Sequence, residues 1–255
     1  MRVRDSQNDG RGMSRSIDDD ETVRKRSAWL LPLGVFFVTF VLSAMFLLLY
    51  LAPSAPSLFE EQVTPTSRTD IINVTVNGRR FHIPANYLEY ASARQGGEHH
   101  ELDLFALLPD LTGWSNWNAD NFSSNAPDSR VIFFTIRSEK IGLSESDRLK
   151  RVYLGYVRDR RGTPGPYGLT QFAFRADSGY RDEDLFVGET EKGPIVLRCV
   201  RLSHDVPSPS CLRDTLIGRG VSLSYRFKRS QIEHWRDIGA GVDNLIASFE
   251  KPAGR

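Results

Sequence analysis

Twenty-five consecutive residues, Ala28 to Ala52, read AWLLPLGVFFVTFVLSAMFLLLYLA without one Asp, Glu, Lys, Arg or His. As a helix rising about 1.5 Å per residue, the run reaches roughly 37 Å, enough to cross a hydrocarbon core of about 30 Å with some tilt. Lipid offers no partner to backbone N–H and C=O groups, so a run of this kind has to be helical. Its flanks predict a direction. Arg24, Lys25 and Arg26 abut its start, whereas the far side carries Glu60 and Glu61 and no Lys or Arg until Arg68. The Lys/Arg asymmetry places the N-terminus in the cytoplasm and everything after the span outside it. A cleaved signal peptide would need an apolar core of about 7–15 residues, and Pro53 and Pro56 sit where cleavage would fall, so the reading is an uncleaved single-pass anchor with the lipid bilayer as its first partner.

The head, residues 1–27, has seven basic and six acidic residues and few large apolar ones, which predicts disorder. Residues 53–69, rich in Pro, Ser, Thr and Glu, read as a linker. The body from 70 to 255 is long enough for one domain with a real core. Beyond the span the charges balance at 26 basic and 26 acidic residues, so nothing supports a nucleic-acid partner.

Within the body, Ile71 to Val76, the turn Asn77-Gly78 and Arg79 to Ile83 predict a hairpin. Tyr87, Leu88 and Ala91 suggest a short helix over 85–95, and 102–108, 131–136, 168–174, 185–189, 195–202 and 221–227 read as strands. Ser144 to Asp147 opens a helix whose buried face is Leu149, Val152, Tyr153 and Tyr156. Ser230-Gln231-Ile232-Glu233 is a capping box for a last helix that buries Ile232, Trp235, Ile238, Val242, Leu245, Ile246 and Phe249. Gly239 and Gly241 cost that helix about 1 kcal/mol each, which predicts close packing at those positions. The expected fold class is α+β, a mostly antiparallel sheet with two or three packed helices behind one transmembrane helix.

Cys199 and Cys211 are the two cysteines of the chain. Outside the cytoplasm such a pair is most simply a disulfide, closing a loop that holds Pro207 and Pro209. The alternative is a metal held by Cys199, His204 and Cys211, which lacks a fourth ligand. His99 and His100, between Glu98 and Glu101, read as a solvated loop, since neighbours on a strand point to opposite faces and cannot share one ion. Asp182-Glu183-Asp184 reads as a solvated acidic turn. Trp114 and Trp117 lie in a long polar stretch, 110–129, where they either pin the loop to the core or contact a partner or a sugar ring. No nucleophile elbow, zincin motif, P-loop or dinucleotide fingerprint occurs, so no catalytic residue, metal ligand or cofactor is assigned.

The segments VTVNGRRFHIPANYL, LDLFALLPDLTGW, LRC and SLSYRFKRSQIEHWRDIGAGVDNLIASF, in that order, resemble uncharacterised alphaproteobacterial single-pass inner-membrane proteins with a periplasmic domain. The resemblance implies an inner-membrane protein facing the periplasm with a conventional disulfide, and transfers no activity. Two function classes follow. One is a non-enzymatic module that binds a periplasmic protein in an accessory, sensory or immunity-type role. The other is an envelope glycan-binding protein or hydrolase, resting on the Trp114/Trp117 loop and the His99–Glu101 patch.

Overall fold

The computed structural model describes residues 29–51 and 61–251, so the head, the first part of the linker and the last four residues lie outside it. The chain divides into two units at Glu60/Glu61. The first contains helix α1, Leu30–Leu51, with its apolar side chains exposed along its length. It is long and apolar enough to cross a membrane, as an anchor or a signal sequence would be. Thr39 hides its hydroxyl within the helix by donating to the carbonyls of Val35 and Phe36, at 2.9 and 3.0 Å.

The second unit is α+β. Strands β1 (Ile71–Val76) and β2 (Arg79–Pro84) form the expected hairpin, with Asn77 and Gly78 both at positive φ as its two-residue turn demands. A short β3 (Gly97–His99) pairs parallel with β1 to complete a three-stranded sheet. The remaining strands are β4 (Glu101–Leu107), β5 (Val131–Ser138), β6 (Thr163–Pro164), β7 (Thr170–Ala173), β8 (Glu183–Thr190), β9 (Gly193–Val200), β10 (Ser210–Gly218) and β11 (Val221–Lys228). They make one antiparallel sheet in the order β4-β5-β11-β10-β9-β8-β7-β6.

Alternation gives that sheet two buried faces. On one, Leu102, Leu104, Ile136, Leu223, Tyr225 and Leu197 meet the small sheet and the helix Trp235–Phe249, forming the main core. On the other, the helix Glu145–Arg151 and the turn after it cover Phe172, Leu185, Val187 and Val196. Farther along that face, Trp114 and Phe122 cover Phe105, Leu107 and Val131. In chain order the helices of the body are α2 (Ala119–Ser123), α3 (Glu145–Arg151) and α4 (Trp235–Phe249).

Several sequence expectations are corrected. Residues 85–95 are not a helix but two 3₁₀ turns, Ala85–Tyr87 and Ala93–Gln95. Leu88 is extended and bridges Leu104, and the Glu89 N–H donates to the Asp103 carbonyl, so sheet contacts outbid a nucleus that short helices form with difficulty. α3 has the expected N-cap, Ser144 accepting from the Asp147 N–H at 3.1 Å, but ends at Arg151 and leaves Tyr156 exposed. The capping box at Ser230 does not form. Ser230 donates to the Pro127 carbonyl and the chain runs as a 3₁₀ segment, Arg229–His234, before α4 begins. α4 buries the expected residues except Leu245, which is only partly covered. His99 lies on an edge strand, not in a loop, and Asp184 of the acidic triplet is buried between Arg201 and Arg229 at 2.8 Å from each.

Candidate binding cleft

Strands β8 and β9 pair along their whole length, and β10 and β11 do likewise. Between β9 and β10 the ladder has only two rungs, Cys199↔Cys211 and Arg198↔Leu212. Beyond Arg198 and Leu212 the two strands part, and the large sheet opens along its middle.

Local chemistry accounts for the parting. The pair Thr190↔Gly193 closes the two-residue turn Glu191-Lys192, so alternation along β9 turns the main-chain polar groups of Pro194 and Val196 toward β10. Pro194 has no N–H to donate. The Val196 N–H donates instead to Glu145 Oε1 at 2.5 Å. Glu145 stands at the first position of α3, on one face of the sheet, while Arg213 of β10 sits beside Tyr225 on the other. The carboxylate therefore reaches through the opening. The Arg213 guanidinium donates to it from Nε (3.0 and 3.2 Å) and Nη2 (2.9 Å), and from Nη1 to the Tyr225 hydroxyl (3.1 Å). Asp243 of α4 lies 3.8 Å from the same guanidinium.

Glu145 and Arg213 are both buried. Burial works against the Arg213 charge, but the Glu145 hydrogen bonds and the nearby oxygens outweigh it and raise its proton affinity further. Burial likewise pushes the Tyr225 hydroxyl up to about 12, against the pull of Arg213. A charge this enclosed needs its partner, because one left unpaired in a protein interior is costly.

The opening continues into a cleft of about 1000 Å³. Its walls are the β8–β9 turn, the separated length of β10, the start of α3 and one side of α4. Leu216, Ile217 and Ile246 give it an apolar interior, and Arg79–Glu250 (2.6 Å) and Lys192–Asp243 (3.6 Å) pair charges across it. α4 approaches closely at Gly239, where a Cβ would stand 2.8 Å from Ile195 Cδ1 and 3.6 Å from Arg213 Nη1. A smaller polar pocket of about 240 Å³ lies beside Thr135, Ser222, Ser224 and Asp214.

None of Trp114, Trp117, His99 or His100 lines the cleft. Trp114 is half-buried, and its main chain is held by Asn86, which accepts from the Trp114 N–H at 2.9 Å and donates to its carbonyl at 3.1 Å. Trp117 is 98 % exposed, so of the two only Trp114 is held against the body. Cys199 and Cys211 are joined in a disulfide on the rung farther from the opening, one step behind Arg198↔Leu212, and His204 stands exposed beside Asp205. Among the described residues no three His, Cys, Asp or Glu side chains converge as metal ligands would.

Sequence reasoning missed β10 and with it Arg213. Arg213 and Asp214 interrupt the apolar alternation that marks a strand, although the turn at Arg219-Gly220 before Val221 carried a usable hairpin signal.

No protein-family model matches the chain, and no curated protein matches it. The fold is similar to that of Smlt3025, an immunity protein of the Stenotrophomonas maltophilia type IV secretion system, with a TM-score of 0.50 and 17 % identity over 76 % of this chain and 99 % of that one. The Neisseria meningitidis iron-regulated outer membrane lipoprotein FrpD gives a TM-score of 0.46 and 16 % identity over 74 % and 97 % of the two chains. At such identity the first likeness is one of fold.

Proposed function

We propose that this chain is a single-pass inner-membrane protein whose body stands on the periplasmic side and binds a protein partner without catalysing a reaction. The cleft between β9 and β10 carries the reading. It is large, its apolar interior is reachable from solvent, and its inner charges are already paired to one another, as suits a pocket that receives a partner's side chains. The apolar helix, the basic residues before it and the cysteine pair support the location, and the fold shared with an immunity protein agrees with a binding role. A photo-crosslinking residue at Lys192, on the cleft rim, tests the proposal in intact cells expressing the full chain. The expected result is a discrete adduct that is absent when the crosslinker replaces exposed Arg151 on the opposite side of α3. Equal labelling at both positions, or none at either, sinks the reading.

Glycan binding is the second reading, favoured by the one observation that Trp117 offers its whole ring to solvent. It predicts that peptidoglycan fragments change the tryptophan fluorescence of the protein and that Trp117→Ala abolishes this change while leaving stability within about 0.5 kcal/mol. Fluorescence indifferent to saccharide removes it.

A further inference from the structure

A split sheet can be filled by an added strand or by side chains, and the cleft distinguishes between them. Strand addition draws its affinity from main-chain hydrogen bonds. The β9 edge facing the opening begins with Pro194, which has no N–H, and continues with Val196, whose N–H Glu145 already takes at 2.5 Å. Donors that an incoming strand would need at both positions are gone. Along β9, therefore, the cleft offers side-chain recognition and not strand addition.

Its charges say which kind. Glu145, Glu189, Glu191, Asp243 and Glu250 face Arg79, Lys192, Arg213 and Arg236. Arg79, Lys192 and Arg213 each have a carboxylate partner, and Arg236 stacks over the Trp235 ring at 4.3 Å. Glu189 and Glu191, on the β8–β9 turn, are exposed and have no ion-pair partner among the described residues. With Arg236 also lacking a carboxylate partner, the unmet charge of the lining is negative by one, two carboxylates on the β8–β9 turn against one guanidinium on α4, beside an apolar interior.

Resting on the protein-binding reading above, we infer that the cleft takes a partner-protein segment presenting an apolar side chain flanked by Lys or Arg. The apolar group enters the interior lined by Leu216, Ile217 and Ile246, and the cation meets Glu189 and Glu191 at the rim. Rim charges act chiefly on encounter rate and salt dependence, and the buried apolar anchor on lifetime.

The test pans a random dodecapeptide phage library against the full chain in nanodiscs, with two variants as comparators. Ala240→Trp fills the cleft from an exposed position on α4 and spares the core; Glu189→Gln/Glu191→Gln removes the rim charge. Enriched peptides should pair an apolar residue with a neighbouring Lys or Arg and lose binding to A240W. They should weaken about threefold to tenfold on the double glutamine variant, and similarly between about 50 and 300 mM salt. Peptides lost on A240W but acidic or uncharged, and indifferent to the glutamines, overturn this inference and leave the cleft reading standing. Peptides that bind A240W as well as the parent, or a library with no enrichment, overturn both.

Discussion

The two ends of the β9–β10 pair are built on opposite principles. At the closed end a covalent bond, Cys199–Cys211, both cysteines fully buried among apolar neighbours, joins one of the two rungs, and Arg198 on the other rung is paired with Glu183 at 2.9 Å. At the open end the ladder is replaced by Glu145 and Arg213, a charged pair set into the gap with Tyr225 and Asp243 around it. A disulfide stabilises mainly by restricting the unfolded chain, whereas a buried ion pair spends most of its attraction on its own desolvation. The closed end thus adds stability, and the open end holds a shape. A gap kept apart in this way is a constructed cleft and not frayed pairing.

Removing the plug is the strongest way to break this contrast. Glu145→Ala leaves the Arg213 charge and the Val196 N–H buried without their partner, and should cost about 3–5 kcal/mol in urea unfolding. Glu145→Leu with Arg213→Met should recover at least half of that loss, because the uncompensated charge is gone. A double variant as unstable as the single one would show that the pair is not what holds the gap. At the closed end, Cys199→Ala/Cys211→Ala should cost about 3 kcal/mol by the chain-entropy model for a sequence separation of 12. Reductant should shift the parent's unfolding midpoint the same way and leave the double variant unmoved.

The contrast also marks what could be read in advance. Asn77-Gly78 demanded a tight turn by its own backbone geometry, and Gly239 announced close packing because a glycine inside a helix needs a reason. Both are local signals. The closed end was legible too, since Cys199 and Cys211 are the two cysteines of the chain and a short loop separates them. The open end was not. Arg213 looks like a residue that disqualifies a core strand until its partner is known, and that partner lies 68 residues earlier in the chain. Glu145 read as part of a helix start, which it is, but nothing local reveals that its carboxylate takes the donor Val196 would give a neighbouring strand. The tryptophans are a different case: their spacing was plain, and only the seating of Trp114 on Asn86 tells it from Trp117.

Unlike the carboxylate in the gap, which Arg213 and the Val196 N–H satisfy, Glu89 at the sheet's β4 edge is poorly satisfied. Burial, with the nearby Asp103 charge adding and Arg226 opposing, raises Glu89 to about 7. A carboxyl raised in the folded state binds its proton more tightly there than in the unfolded chain. Its contribution is therefore full below the unfolded range near 4.5 and is lost as pH rises through about 7. Glu89→Gln should leave stability at pH 4 unchanged and raise it at pH 8 by about 1–2 kcal/mol, after a discount for partial exposure. Equal effects at both pH values would refute the assignment.

The finest test narrows the opening itself. Gly239 of α4 faces both separated strands, so a single methyl there presses on Ile195 of β9 at 2.8 Å and nears Arg213 of β10 at 3.6 Å. Gly239→Ala gains about 1 kcal/mol of helix propensity and incurs about 1–3 kcal/mol of overpacking. Because the Ile195 Cδ1 methyl is the end of a flexible side chain, relief is cheap and the net loss should be about 1 kcal/mol or less. The more telling readout is binding. If the cleft takes a partner's side chain, that displacement of Ile195 should weaken capture by more than it weakens folding; a variant that loses stability and keeps its partner would place the contact elsewhere on the body.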